Sequence, residues 1–292
     1  KFGYPPTKQD EEYLYGPGVC DCKGGIAVAL LVMQTLRDKG YCKRPIKLIL
    51  TGDEEVSNAL SGSSGIDFIC NEVRGYDAAF NCELGQEGSI TVARKGILRL
   101  KIAIKGKAAH SGSAYSKGIS AIREAAHKII EIEKASCQDN VTYNCGVIKG
   151  GEVVNIVPAH CSFEVDIRYI NKNDLDAAIK HVETIVNHSY IKGTSATVTE
   201  KSRRLPMEQT EGNMKLYEQI SKVCREYNLE QVSPKLKGGG SDSAYTVLAG
   251  VPSVCSVGTI GEGAHTIFEK SRLDSLSSRA KMLTATIMEL PD

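Results

Sequence analysis

The sequence lacks an excess of charge of either sign and lacks any long apolar run. Its 292 residues carry 36 Lys and Arg against 35 Asp and Glu, so the formal net charge is +1. A dedicated nucleic-acid-binding protein usually carries a basic excess that neutralises phosphates, so we expect no nucleic-acid partner. The most apolar run, residues 26–33, is shorter than the roughly 18 residues that suggest a membrane-spanning helix. We therefore expect no membrane partner.

The ten cysteines lack the paired spacing of zinc ribbons or of small disulfide-rich proteins. Most of them lie in apolar segments, as Cys82 and Cys255 do, where a thiol packs as a small hydrophobic group. We therefore expect reduced thiols in a cytoplasmic protein, and a disulfide framework is the alternative. Hydrophobic residues make up 41% and charged residues 24% of the chain, which is typical of a globular protein with one large domain or two ordinary ones.

The first and last thirds of the chain alternate helix and strand signals. A helical pattern over residues 24–39 precedes an apolar run at 46–50 that reads as a buried strand, and a second strand is expected at 78–82. Strands that alternate with helices predict an α/β fold with a mixed, mainly parallel sheet. We assign residues 1–94 and 203–292 to this domain.

The middle third of the chain has a different pattern of apolar residues. Residues 98–104 alternate strictly between apolar and other positions, as a half-exposed strand does. Helix and strand signals then continue in the order β-α-β-β-α-β, which is that of a ferredoxin-like sandwich. We expect residues 95–202 to form such a domain, inserted into the first.

Four acidic side chains lie where metal ligands would be expected, and a histidine joins them. Asp21 lies in a glycine-rich loop before a helix, and either binds a cation or caps that helix. Glu54 and Glu55 follow the run at 46–50, and Glu83 follows the strand at 78–82. Ligands of open α/β sheets bind at the carboxyl ends of strands, so these acids suggest a metal site; solvated acidic turns are the alternative.

His265 lies in a second glycine-rich loop and suits a borderline-soft metal such as zinc. An ordinary, partly exposed loop histidine is the alternative. The sequence has no Gly-x-Ser-x-Gly nucleophile elbow before a helix, and residues 238–240 lack the Lys-Ser/Thr of a phosphate-binding loop. Together these features favour a hydrolytic centre with one or two metal ions.

Seven segments, in order, resemble the M20 family of metallopeptidases and amidohydrolases, most closely its glutamate carboxypeptidase branch. They are residues 16–25 (GPGVCDCKGG), 51–55 (TGDEE), 106–112 (GKAAHSG), 150–158 (GGEVVNIVP), 166–169 (DIRY), 238–242 (GGGSD) and 263–265 (GAH). The resemblance runs through essentially the whole chain. It implies a zinc-exopeptidase-like catalytic domain interrupted by a ferredoxin-like domain that makes a homodimer.

The resemblance also implies a role for each matching residue. Asp21 would bridge two zinc ions, Glu55 and His265 would complete one site, and Glu83 would bind the second ion. Cobalt or manganese could replace zinc. Glu54 would be the general base that takes a proton from the metal-bridging water.

Other matching residues would contact the substrate. His110 would reach the active site of the partner and stabilise the oxyanion. The remaining substrate-binding residues would be Asn155, Arg168, Gly238, Gly239 and Gly240. Arg168 suits a carboxylate because its planar fork can bind both oxygens, although an outward ion pair is the alternative. Asn155 could instead hold a turn before Pro158.

The sequence departs from the family pattern in two places. The family's first zinc ligand, a His in a His-x-Asp segment, has no counterpart because no His precedes His110. The chain also begins at Lys1 on a loop-like stretch, so we expect that it lacks its natural N-terminal segment. In addition, Cys20 and Cys22 flank Asp21, where they could bind zinc adventitiously or oxidise, or simply pack as thiols.

The resemblance predicts a zinc-dependent hydrolase that cleaves a peptide or N-acyl amide bond next to a C-terminal amino acid. The substrate would be a small peptide or an N-acyl amino acid. One alternative is an N-acyl-amino-acid deacylase of the acetylornithine or succinyl-diaminopimelate type. A second is a catalytically impaired family member that binds metal or serves as a dimeric scaffold, although such a protein would have no need for Glu54 and His110.

Overall fold

The computed structural model describes residues 6–56, 58 and 60–291. The chain divides into two units. Unit 1 comprises Lys1–Arg94, Met207–Lys237 and Ser241–Asp292, and unit 2 comprises Lys95–Pro206 and Gly238–Gly240. Each unit has its own hydrophobic core.

The helices and strands are numbered in chain order. The α-helices are α1 (Lys23–Asp38), α2 (Gly62–Val73), α3 (Ala121–Glu133), α4 (Lys172–Asn187), α5 (Glu211–Glu226), α6 (Ser243–Leu248) and α7 (Leu273–Met288). The strands are β1 (Lys8–Gln9), β2 (Tyr13–Tyr15), β3 (Ala79–Asn81), β4 (Ser89–Arg94), β5 (Gly96–Lys105), β6 (Ala109–His110), β7 (Thr142–Gly150), β8 (Ile156–Val157), β9 (His160–Tyr169), β10 (Ser195–Arg204), β11 (Ser233–Lys237), β12 (Ser253–Cys255), β13 (Gly261–Glu262) and β14 (Lys270–Arg272).

The main sheet of unit 1 has the strand order β11-β4-β12-β3. It is mixed: β11 with β4 and β12 with β3 are parallel pairs, whereas β12 and β4 are antiparallel. Every residue of β4 is buried. Helix α1 contributes Val28, Val32 and Leu36 to the core, and their spacing of four residues places all three on one helical face. A smaller antiparallel sheet has the order β1-β2-β14-β13.

The apolar run at 46–50 does not form the expected buried strand. Its residues have no regular secondary structure, and Ile46 and Leu50 are 39% and 60% exposed. Residues 44–52, α1 and β3 instead line a cavity of about 570 Å³. The prediction is wrong for the described residues because an apolar run becomes a strand only where a neighbouring strand takes up its backbone hydrogen bonds.

Unit 2 is an antiparallel sheet in the order β10-β5-β9-β7, with α3 and α4 contributing to the core on one face. On β5 the apolar residues Leu98, Leu100, Ile102 and Ile104 are all buried, while alternate positions are more exposed. The chain order β5-α3-β7-β9-α4-β10 and this strand order are those of a ferredoxin-like sandwich.

Side-chain caps fix the starts of three helices. Ser120 accepts a hydrogen bond from the N–H of Arg123 at the start of α3, and Thr210 accepts one from Asn213 at the start of α5. At α4, Asn171 and Asp174 form a reciprocal capping box. These caps satisfy N–H groups that have no partner within the helix.

The chain leaves and re-enters unit 1 at neighbouring residues. The N–H of Arg94 donates to the carbonyl of Met207 at 2.9 Å, and the N–H of Met207 donates back at 3.1 Å. Residues 95–206 therefore form an insertion that begins and ends beside two paired residues of unit 1. Among the residues that the structure describes, no helix is long and apolar enough to span a bilayer.

Candidate metal centre

Three side chains from separate loops of unit 1 converge on one point. The Nε2 atom of His265 lies 2.9 Å from an oxygen of Asp21 and 3.0 Å from an oxygen of Glu55. One potential ligand atom from each residue lies within 4.8 Å of the others. The Asp21 side chain is 14% exposed, whereas Glu55 and His265 are more than half exposed. This cluster can accept a cation without a large rearrangement.

Asp21 is held by the loop before α1. The residue that caps α1 is Cys22, and no side chain caps the helix by a hydrogen bond. Asp21 therefore does not cap α1, so the alternative reading of this residue as a helix cap is wrong. The N–H of Asp21 donates to Glu269 at 3.0 Å, so the backbone is fixed while the carboxylate faces His265.

His265 lies in a loop with left-handed backbone conformations at Gly263 (φ 75°) and at His265 itself (φ 63°). A Cβ atom at Gly263 would lie 2.7 Å from the carbonyl oxygen of Phe268, so only glycine fits there. Burial alone would lower the pKa of His265, but the carboxylates of Glu55 and Asp21 outweigh it and raise the pKa. The surroundings of the imidazole thus favour a positive charge at this point.

Glu54 and Glu55 lie on one turn of 3₁₀ helix, Glu54–Val56. The adjacent Asp53 is turned away, because its carboxylate accepts hydrogen bonds from the N–H and hydroxyl of Ser61, both at 2.8 Å. These hydrogen bonds lower the pKa of Asp53. Of the three consecutive acids, Asp53 therefore holds the loop, while Glu55 contacts His265.

Glu83 follows β3 and lies among the negative charges of the other acids. Burial, with the negative charges of Glu54, Asp21 and Glu55, raises its pKa to about 7, and the positive charge of Arg94 opposes the shift. Carboxylates that raise one another's pKa are typical of sites completed by a cation. Glu83 thus extends the cluster beyond the three convergent ligands.

The two thiols beside Asp21 differ in exposure but not in charge state. Cys20 is fully buried and Cys22 is partly exposed. Burial raises the pKa of both thiols, and for Cys22, where Glu83 and Asp21 add to the effect, it raises the pKa to about 12. Both remain protonated near neutral pH, so the structure favours packed thiols over reactive ones.

The substrate-binding candidates of unit 2 form two groups. In the first, the N–H groups of Gly112 and Ser113 donate to Nδ1 of His110 at 3.2 Å each, and the carbonyl of Asn155 accepts from Ser111 at 2.9 Å. Asn155 therefore supports the loop that carries His110.

In the second group, Arg168 donates to Asp166 and, at 3.2 Å, to the carbonyl of Gly238. This contact brings Arg168 to the glycine run at 238–240. The sequence also allowed an ion pair as the role of Arg168. The structure has that ion pair, with Asp166, together with the contact to the glycine run.

The donor set of unit 1 fits a borderline metal ion. One imidazole and two carboxylates at hydrogen-bonding distances can each supply one atom to a tetrahedral site. Sequence reasoning missed Glu269, which binds the Asp21 loop, because nothing around it in the sequence distinguishes it from an ordinary surface acid.

Known proteins resemble this chain over nearly its whole length. The model of peptidase family M20/M25/M40 matches residues 3–289. Carboxypeptidase G2 from Pseudomonas sp. (strain RS-16) is 30% identical over 294 residues, which cover 98% of this chain and 69% of that protein. A [LysW]-lysine/[LysW]-ornithine hydrolase from Sulfurisphaera tokodaii is 25% identical, covering 94% of this chain and 74% of its own.

Solved structures show the same fold. Aminopeptidase PepT from Bacillus cereus superposes with a TM-score of 0.79 at 24% identity, covering 96% of this chain and 75% of that one. A tripeptidase from Staphylococcus aureus gives the same values. The family match over nearly the whole length, together with the fold, establishes that this chain belongs to peptidase family M20/M25/M40 and is a metallohydrolase.

Proposed function

We propose that the protein is a zinc-dependent hydrolase that cleaves a peptide or N-acyl amide bond next to a C-terminal amino acid. The convergence of Asp21, Glu55 and His265 beside Glu54 carries the proposal, because it places a metal-ligand set next to an acid that can act as a base. Glu83 would serve a second zinc ion together with Asp21. Cobalt and manganese accept the same oxygen and nitrogen donors.

Bound zinc supplies Lewis-acid polarisation of the substrate carbonyl and lowers the pKa of water. Glu54 accepts the proton of the attacking water and delivers it to the leaving amine. Glu54 lies on the same 3₁₀ turn as Glu55, which contacts His265, and it follows Asp53, which holds Ser61. Three consecutive acids would thus divide into a loop anchor, a base and a ligand.

In this proposal His110 donates a hydrogen bond to the developing oxyanion. Two N–H groups of its own loop donate to Nδ1, which leaves the Nε2–H as the outward donor. The family resemblance places His110 in the active site of the other protomer of a homodimer. A dimer through unit 2 is therefore part of the proposal.

Arg168 and the 238–240 glycine run would receive the substrate's terminal carboxylate. The contact between Arg168 and the carbonyl of Gly238 supports this assignment, because it brings a planar guanidinium that can bind both oxygens of a carboxylate to the glycine run. The name carboxypeptidase G2 is consistent with such a substrate. The deacylase alternative uses the same chemistry and differs only in the acyl group.

The test is release of free amino acid from a panel of dipeptides and N-acyl amino acids, with zinc, with cobalt and with a chelator. We expect chelator-sensitive release from one substrate class, and its identity decides between dipeptidase and deacylase. Glu54→Gln is the matched control, since it preserves shape but removes the base. Zinc binding without release from any substrate would contradict the proposal and favour a family member that only binds metal.

A further inference from the structure

Glu269 is a buried carboxylate that the proposed mechanism does not use. It is 5% exposed. One of its oxygens accepts from the N–H of Gly18 at 2.7 Å, and the other accepts from the N–H groups of Cys20 and Asp21, both at 3.0 Å. The backbone carbonyl of Glu269 also accepts from Gly16 at 3.1 Å. One residue thus binds most of the loop that ends at Asp21.

The carboxylate is chemically matched to this loop. Three backbone N–H groups converge on it, and an ionised carboxylate offers about four acceptor positions without any donor. A glutamine of the same shape would offer acceptors on one oxygen only, and its amide N–H groups would face a backbone donor. The loop geometry therefore requires an acid rather than any polar residue at position 269.

Glu269 and His265 also belong to one rigid loop. The N–H and hydroxyl of Thr266 both donate to the carbonyl of Gly263, at 3.0 and 2.7 Å, and the N–H of Phe268 donates to the Thr266 hydroxyl at 3.1 Å. The loop that carries His265 therefore also binds, through Glu269, the backbone of the loop that carries Asp21. The distance between Asp21 and His265 depends on these hydrogen bonds.

We propose that Glu269 is a positioning residue that holds the Asp21 carboxylate in register with His265 and Glu55. The proposal rests on the metal centre assigned above. Without the clamp the 18–21 loop relaxes and Asp21 no longer meets the other ligands at one point. Outer residues that orient metal ligands typically change metal affinity by about 10- to 100-fold when replaced.

The test compares Glu269→Gln with Glu262→Gln in the full chain. Glu262 is a matched control because its side chain is 70% exposed, lies in the neighbouring strand and forms an ion pair with Lys270. The Co²⁺ dissociation constant is measured by competition with a chromophoric chelator, alongside the visible Co²⁺ spectrum. We expect Glu269→Gln to weaken Co²⁺ binding by about 10- to 100-fold and to shift the spectrum, and Glu262→Gln to do neither.

A double-mutant cycle separates positioning from general destabilisation. If Glu269 acts through Asp21, then Glu269→Gln has little further effect on Co²⁺ affinity in an Asp21→Asn background. Full additivity of the two losses, or unchanged Co²⁺ affinity in Glu269→Gln, would overturn the proposal. Turnover is not part of this readout, so a protein that binds Co²⁺ through Asp21 but hydrolyses nothing refutes the proposed function while leaving the positioning role intact.

Discussion

The metal-free protein should lose stability as the pH rises, and Glu83 is the cause. Its carboxyl is desolvated and lies among the negative charges of Glu54, Asp21 and Glu55, which together raise its pKa from 4.5 to about 7. In the unfolded chain the same group titrates near its ordinary value, roughly 4.3. Between these two pH values the folded protein holds a proton that the unfolded chain has released.

The sign and size follow from proton linkage. A raised folded-state pKa gives a stabilising contribution that is complete below pH 4.5 and is lost as the pH rises through about 7. At about 1.4 kcal/mol per pH unit, the loss amounts to about 3 kcal/mol. Glu83→Gln removes the titrating group, so its free energy of unfolding should not show this decline.

The assay is denaturant unfolding of the wild type and of Glu83→Gln at pH 5, 6, 7 and 8, with a chelator present. We expect the free energy of unfolding of Glu83→Gln, measured relative to that of the wild type, to rise by about 3 kcal/mol between pH 5 and pH 8. Glu226→Gln, an exposed position on α5, is the control and should follow the wild type. If the difference in free energy of unfolding between the wild type and Glu83→Gln stays constant with pH, the reasoning is refuted.

Metal binding offers an independent check on the same group. A cation at the site needs the ionised carboxylate, so below pH 7 zinc binding should release a proton from Glu83. Titration calorimetry at pH 6 in two buffers of different ionisation enthalpy measures that proton. Its loss in Glu83→Gln would assign it to this residue.

Three further outcomes are expected. Glu54→Gln should lower kcat by about 10²- to 10⁴-fold with unchanged zinc content by elemental analysis, and normal turnover would exclude it as the base. Gly25→Ala places a Cβ atom 1.8 Å from the Cys82 carbonyl oxygen and should cost about 3 kcal/mol in chemical denaturation, whereas Gly52→Ala, with open space around it, should cost far less. The His110 ring should carry its proton on Nε2 in ¹⁵N NMR spectra, and a proton on Nδ1 would contradict the hydrogen bonds of its loop.

The sequence predicts those elements whose local pattern is sufficient. The strict alternation of residues 98–104 marks β5, and the helical pattern over residues 24–39 marks α1, although the structure turns Val28, Val32 and Leu36 to the core and leaves Leu30 and Leu31 exposed. In both cases one face meets the core and the other does not. The period of the apolar residues therefore reveals the element directly.

Elements whose burial depends on distant neighbours are harder to predict. The strand β4, Ser89–Arg94, has every residue buried although its sequence mixes Ser, Thr and Arg with apolar residues. It is covered on both faces and paired on both edges, which no local pattern records. Residues 46–50 show the reverse, because a run of apolar residues there does not form a strand in the described structure.

The same distinction applies to the site. Asp21, Glu55 and His265 could be selected from the sequence because glycine-rich loops and acids beside an apolar run are visible there. Glu269 could not be selected, because its partners are backbone N–H groups about 250 residues away. Side chains that hold a loop are recognised by what they contact, and contacts require the fold.

The paired backbones of Arg94 and Met207 make residues 95–206 a removable segment. Residues paired in this way have Cα atoms roughly 5 Å apart, a gap that two or three residues can bridge. A gene could therefore gain or lose the 95–206 segment at a single point, without changing the path of the chain on either side. The same junction offers an engineer a place to exchange one inserted domain for another, because Asp21, Glu55 and His265 all lie outside the segment.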